Sequence, residues 1–377
     1  MEKTLSYAEY QARLKNVRTP EDAAALAEEL TAVALAAIPE PEPEKTPEPK
    51  EPTGKRRLGE PALDKDDLAF LPWYDVVAND NEAMVISLYA KGLTTRDISR
   101  YMKAHHGLDI SQPAVSAITD KVFPLVKEWQ SRPLSAMYPI VYLDGIHFKV
   151  RDAGKIASKV AYIALGINPY GAKEVLGIWV TDTEGAKYWM HVLNDLKNRG
   201  VDDILIAAVD GLKGFPEAIK AVYPNTDVQV CIVHMIRHTI KFLPHKDREA
   251  FCRDLKNVYT AANAEAGREA LEEAKDRWPQ YRPYLKSWEE RWTDLAPFFE
   301  YPVAVRRMIY TTNMIENLNR QFRKVTKTTT VFPHDDALAK LLWLAQADFS
   351  KRRSLALRNW SEVMAQLSVL FEDRVSF

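Results

Sequence analysis

Between residues 138 and 233 the chain alternates strand and helix patterns in an order that few folds accommodate. Three apolar strand patterns come first, at 139–150, 156–168 and 172–181. From Glu184 to Arg199 the pattern turns helical, with Trp189, Val192, Leu193 and Leu196 at the i, i+3, i+4, i+7 spacing of one buried face. Gly200 supplies a helix stop. A strand at 203–209, a short helix at 214–222 and a strand at 227–233 complete the series. This order predicts a mixed α/β sheet. Such sheets carry their functional groups near the carboxyl ends of strands.

The flanking segments read as helix. Residues 82–130 have the breaks of a helix-turn-helix unit: Met84, Val85, Leu88 and Tyr89 at helical spacing, a stop at Gly92 and a cap at Thr94. Gly107 and Ser111-Gln112-Pro113 then open a third helix through Val115, Ile118 and Val122. In such a unit the last helix enters the major groove, which makes Ser111, Gln112, Ser116 and Lys121 candidates for DNA contact. A three-helix bundle that merely packs would show the same spacing. Residues 5–37 read as helical, and 38–61 are a Pro/Glu-rich stretch that reads as a stiff, extended linker. From 234 to about 300 no strand pattern occurs. Three further helices are expected at 304–325, 335–351 and 355–371.

Composition narrows the functional classes. Hydrophobic content of 46% with 27% charged residues is that of a globular protein. No apolar run approaches the roughly 20 residues needed to span a bilayer, and no signal peptide is legible, so a cytoplasmic protein is expected. Two cysteines, Cys231 and Cys252, fit a reducing compartment. The formal net charge is −1. Residues 301–360, however, hold eleven Lys and Arg against four acids, a local +7. Either a solvated helix surface or a seat for an anionic backbone explains such a segment.

Three carboxylates stand out within this frame. Asp144 follows the apolar run 138–143, and Asp210 follows the run 204–209. Each is part of an Asp-Gly pair, which is also an ordinary turn signal. Glu316 lies on a predicted helix face with Asn313, Arg320, Arg323 and Lys324. An ion pair with Arg320 is its simplest role. The other role is shared by all three acids: oxygen ligands for two Mg²⁺ ions, with Mn²⁺ as a substitute, in phosphodiester chemistry. Lys149, Lys213 and Arg320 are available to offset charge at a scissile phosphate. Cys231-Ile-Val-His234 has metal-ligand spacing, but a zinc site needs a second pair. His238, His245 and Cys252 are only loosely placed to supply it.

The order of strands and helices matches a ribonuclease H-like core. Several long motifs resemble the Mutator-type transposases of bacterial insertion sequences. These are Tyr138 to Arg151, Lys173 to Trp179, Glu184 to Trp189, Lys197 to Ile219, Cys231 to His234, Ile309 to Arg320 and Leu370 to Arg374. The resemblance runs from about residue 82 to the end. It implies a ribonuclease H-like catalytic domain with an all-helical insertion, preceded by an all-α helix-turn-helix domain. Together with the segments read above, the expected organisation is a helical segment 1–37, linker 38–61, helix-turn-helix domain 62–132, catalytic core 133–233, insertion 234–303 and a second core part 304–377. By carry-over, Asp144, Asp210 and Glu316 form a Mg²⁺-binding Asp-Asp-Glu triad, and Cys231 and His234 form the family's Cys-x-x-His motif. The implied partners are double-stranded DNA, as terminal inverted repeats and as target, and a second copy of the chain in a homodimer.

Before residue 82 the chain departs from that pattern, with a Pro/Glu stretch where relatives carry a longer basic region. A DNA-binding remnant or repressor without transposition activity is therefore a competing reading. A ribonuclease H-like nuclease of another pathway is a third.

Overall fold

The computed structural model describes residues 73, 76–182, 185–210, 214–310, 313–352 and 356–375. The helical segment and linker expected over 1–61 lie outside the described residues, as does Lys213. Among the described residues no helix is long and apolar enough to cross a membrane.

Among the described residues four short helices come first: α1 (Asp80–Ala90), α2 (Thr95–His106), α3 (Gln112–Asp120) and α4 (Phe123–Ser131). Their ends follow from local chemistry. Asn79 accepts a hydrogen bond from the Glu82 amide at 3.1 Å, and Glu82 in return accepts one from the Ala78 amide at 2.8 Å. Thr94 and Ser111 cap α2 and α3 in the same way, and Gly107 ends α2 in the left-handed conformation. Val85, Leu88, Ile98, Met102 and Val115 form the small core of this unit.

A five-stranded mixed sheet follows. Its strands are β1 (Met137–Asp152), β2 (Lys155–Ile167), β3 (Lys173–Thr181), β4 (Asp203–Val209) and β5 (Asp227–Val230), in the spatial order β3-β2-β1-β4-β5. β1–β2 and β2–β3 are antiparallel, whereas β1–β4 and β4–β5 are parallel. The parallel pairs need crossovers, supplied by α5 (Ala186–Asn198) and α6 (Phe215–Val222). Trp189, Val192, Leu193 and Leu196 of α5 are buried, as their spacing predicts.

After β5 the described regular elements are helices, apart from a bridge of Phe332 to Val150 of β1. The chain runs through α7 (Ile232–Ile240), α8 (His245–Thr260), α9 (Ala264–Arg277), α10 (Arg282–Glu290), α11 (Trp292–Leu295) and α12 (Val303–Ile309). Trp288 is buried among them and donates to the Thr239 hydroxyl at 2.9 Å. Then come α13 (Asn313–Thr326), α14 (Asp335–Arg352) and α15 (Trp360–Leu370). α13 packs on β1, and α14 packs on β3, α1 and α4. The four-helix unit is thereby seated on the sheet domain. Trp73, Ile86, Val122, Trp343 and Leu344 fill that contact. Lys340 of α14 is buried there and donates to Thr119 at 2.8 Å and Asp120 at 2.6 Å.

The structure alters three expectations. The strand expected over 227–233 stops at Val230, because Ile232, Met235 and Thr239 are spaced for the buried face of a helix that Cys231 begins. The helix expected over 304–325 is two helices, α12 and α13; Thr311-Thr312-Asn313 is poor helix sequence and good capping sequence. The last helix starts at Trp360 rather than 355.

Candidate active site

Asp144 does not end its strand. It lies midway along the 16-residue β1, whose distal half pairs with β2 and, through Lys149 to Arg151, with Phe332 on its other side. It does end the part of β1 that is paired with β4. Leu143 is in register with Val209, and Val209 with Val230. The next residue on each of these strands is Asp144, Asp210 and Cys231. Neighbouring strands are about 4.8 Å apart, so the two aspartates stand side by side where the parallel pairing stops. The Cys231 amide donates to the Val209 carbonyl at 2.8 Å and fixes this edge.

The half-buried carboxyl of Asp144 is pushed up to about 6, first by burial and then by the charge of Asp210. His234, the Gly145 amide at 2.9 Å and Asn319 oppose that rise. Cys231 caps α7 and His234 sits in its first turn. The His234 ring is pushed up to about 9, chiefly by the Cys231 side chain; burial opposes this, and Asp144 and Asp210 add to it.

α13 brings the third acid. Ile315, Leu318 and Phe322 are buried beneath it, which turns Glu316 and Asn319 toward the sheet edge. Asn319 donates its amide to Asp144 Oδ2. Glu316 Oε1 lies 3.9 Å from His234 Nε2. Its carboxylate is held by Arg237 of α7, through Nη1 to Oε1 and through Nη2 to Oε2 at 2.8 Å. Arg237, not the expected Arg320, is thus the ion-pair partner that the structure gives Glu316.

The donor set suits a hard divalent cation in its chemistry. Asp144 and Asp210 follow in-register residues of neighbouring strands and feel each other's charge, and the carbonyl oxygen of Asn319, whose amide holds Asp144, is buried without a hydrogen-bond partner. The third carboxylate is engaged by Arg237. Among the described residues no group of three or more His, Cys, Asp or Glu side chains is gathered to hold a metal ion.

The other expected contact residues are dispersed. Arg320, Arg323 and Lys324 are exposed along α13 beyond Glu316. Lys149 is exposed on β1, but the unbroken register puts it on the face opposite Asp144 and about 17 Å further along. Ser111 and Gln112 are exposed at the start of α3 and Ser116 is half-buried; the Lys121 ammonium is tied to Glu82 at 2.6 Å. Asn319 and Arg237 are the site residues that the sequence reading did not single out. Asn319 could have been found from its i+3 spacing to Glu316; Arg237 carries no comparable signal.

The profile of the family described as "Transposase, Mutator family" matches residues 68–352. The chain belongs to this family. Among Mutator relatives, the transposase for insertion sequence element ISRM3 of Rhizobium meliloti is 46% identical over 297 residues, covering 78% of this chain and 74% of its own length. A probable transposase for an insertion sequence element of Corynebacterium diphtheriae is 38% identical over 312 residues, 77% of this chain and 91% of the relative. The Drosophila P element transposase strand transfer complex is a distant structural likeness, with a TM-score of 0.38 at 9% identity over 76% of this chain and 92% of that one. It adds nothing to the family assignment.

The charge crowding at Asp144 has a stability consequence. Its carboxyl lies above the ordinary value of 3.8 in the fold, so the ionised form is disfavoured there. The resulting loss of stability is complete above about pH 6 and is relieved as pH falls through that value. Asp144→Asn keeps the shape and an acceptor for Asn319. Without divalent cation it is expected to melt about 2–4 °C above wild type at pH 8, with the gap closing toward pH 5. Thermal unfolding at the two pH values checks this.

Proposed function

We propose that this chain is a DNA transposase of the Asp-Asp-Glu type, which cleaves DNA at the ends of an insertion sequence and joins the freed 3′-hydroxyl to target DNA. The observation that carries the reading is the strand register that sets Asp144 beside Asp210, with Glu316 on the helix packed against β1. The strand order and the helical segment between β5 and α13 support a ribonuclease H-like core with an all-helical insertion. The residue roles follow from that frame. Asp144, Asp210 and Glu316 supply oxygen ligands; bound Mg²⁺ or Mn²⁺ would activate the attacking hydroxyl and stabilise the leaving oxygen. Asn319 orients Asp144. His234 balances the crowded negative charge before the cations enter. Arg320, Arg323 and Lys324 line the approach for the phosphate backbone. α2 and α3 are read as the helix-turn-helix that recognises the terminal repeats, with Ser111 and Gln112 at the reading end. Two ends must be handled together, so a homodimer is the working form, acting on DNA in the bacterial cytoplasm.

The test is a cleavage and joining assay with Mg²⁺, Mn²⁺ or EDTA on DNA carrying the element's ends. Strand cutting and joined product in either metal, and none in EDTA, are expected. Binding without cutting in Mg²⁺ and Mn²⁺ would make the chain a DNA-binding member of its family. Cutting without joining would make it a nuclease.

A further inference from the structure

Several arginines that hold this fold together end on backbone carbonyls. Arg306 reaches the carbonyls of Tyr301, Phe299, Ala261 and Ala262. Arg374 grips Asp203 and also the carbonyls of Asn225 and Ile204. Arg132 joins Glu174 to the carbonyls of Trp129 and Val175. Arg237 instead ends on a carboxylate, as Arg277 does on Asp254: both hydrogen bonds described for it go to Glu316, and here that acid belongs to the candidate site. Its side chain is 53% exposed, while that of Glu316 is 15% exposed. Arg237 is thus a half-exposed cation paired with a largely buried acid of the candidate site. With His234, one turn earlier on α7, it brackets that acid from one side.

We propose that Arg237 is a phosphate-binding residue of the active site, which rests on Glu316 and exchanges that carboxylate for a phosphodiester group of the DNA strand to be cut. The proposal deepens the function given above and rests on it. A guanidinium fork matches carboxylate and phosphate equally well, so the exchange keeps two parallel N–H···O bonds and moves only a half-exposed side chain. A divalent cation on Glu316 would seek the same two oxygens, so cation and arginine compete for them. The exposed Arg320 and Arg323, one and two turns beyond Glu316 on α13, give the displaced guanidinium an adjoining track of phosphate sites. Cation entry and seating of the strand are thereby coupled through one carboxylate.

Two binding measurements test this without reference to turnover. Mn²⁺ binding to the DNA-free protein is followed by calorimetry for wild type, Arg237→Ala, Arg237→Lys and Asp144→Asn. A duplex carrying the element's ends is then titrated across a salt series, in EDTA and in Ca²⁺. Arg237→Ala is expected to bind Mn²⁺ about two- to fivefold more tightly than wild type, the effect of removing a partly exposed competing ion pair. Arg237→Lys, which keeps the charge and loses the fork, is expected to fall between them. In Ca²⁺ the Arg237→Ala protein loses about one unit of log–log salt slope, for one lost phosphate contact. In EDTA, with Arg237 on Glu316, the slopes agree. Unchanged or weaker Mn²⁺ binding by Arg237→Ala overturns the proposal, as does a salt slope that is unchanged in Ca²⁺ or reduced equally in both media. If wild type and Asp144→Asn bind Mn²⁺ alike, the cation reading of the site falls and the exchange falls with it. If Asp144→Asn loses Mn²⁺ while Arg237→Ala matches wild type, only the exchange is lost.

Discussion

Asp144→Asn, Asp210→Asn and Glu316→Gln are each expected to lower strand cleavage by about a thousandfold or more while leaving binding to the element's ends within a few fold. Each substitution keeps the size of the side chain and removes the negative charge that a hard cation needs. The three should differ in what accompanies the loss. Asp144→Asn relieves the repulsion from Asp210 and keeps an acceptor for Asn319, so its loss of activity should come with a gain in stability. Glu316→Gln leaves Arg237 without its carboxylate and should leave the melting temperature close to wild type, because an ion pair with one half-exposed member contributes little. Single-turnover cleavage in Mg²⁺, set beside a gel-shift titration in Ca²⁺, measures both quantities. Retention of a tenth or more of the activity in any one of the three would remove that residue from the triad.

The aspartates stand out in the sequence because of what precedes them. An apolar run long enough to be a buried strand, followed at once by an aspartate, marks the end of β4 at Asp210; at Asp144 it marks only the end of the part of β1 that pairs with β4. Their adjacency was not legible in the pattern. It depends on the pairing of Leu143 with Val209, and a shift of one residue would have turned Asp210 to the other face. β1 also continues for eight residues past Asp144, because β2 still pairs with it there. The alternation Ile146, Phe148, Val150 carries that continuation, but it does not say where β4 leaves. The contacts that shape the site join residues far apart in the chain: Asn319 to Asp144, and Arg237 to Glu316. Periodicity reports which face of an element is buried, not which polar side chain meets which across two elements. The break between α12 and α13 was hidden for a related reason. Apolar residues continue at helical spacing on both sides of Thr311-Thr312, and that spacing outweighs two weak helix formers in any reading by pattern.

Gly92→Ala is expected to destabilise the protein by about 3 kcal/mol or more, while Gly107→Ala costs about 1 kcal/mol. Both glycines were legible as helix stops, and both adopt a positive φ, 89° and 67°. A side chain at either position therefore meets the ordinary penalty of the left-handed region. Their surroundings differ. Around Gly107 a Cβ would find no atom within 4 Å. At Gly92 it would collide with the Val325 carbonyl oxygen and stand 2.8 Å from the Val325 carbonyl carbon and Cα. Those are backbone atoms of α13, which cannot rotate away. Thr328, just past α13, donates its hydroxyl to the Gly92 carbonyl and closes the same contact. The difference between the two variants therefore isolates the close approach of the first helical unit to the helix that carries Glu316 and Asn319. Urea unfolding of both proteins gives the comparison, and the cleavage assay gives its functional side. Displacing α13 moves two residues of the site at once, so Gly92→Ala should lose activity where Gly107→Ala does not. Equal losses of stability would mean that the seat of α13 against Gly92 adds nothing to the fold.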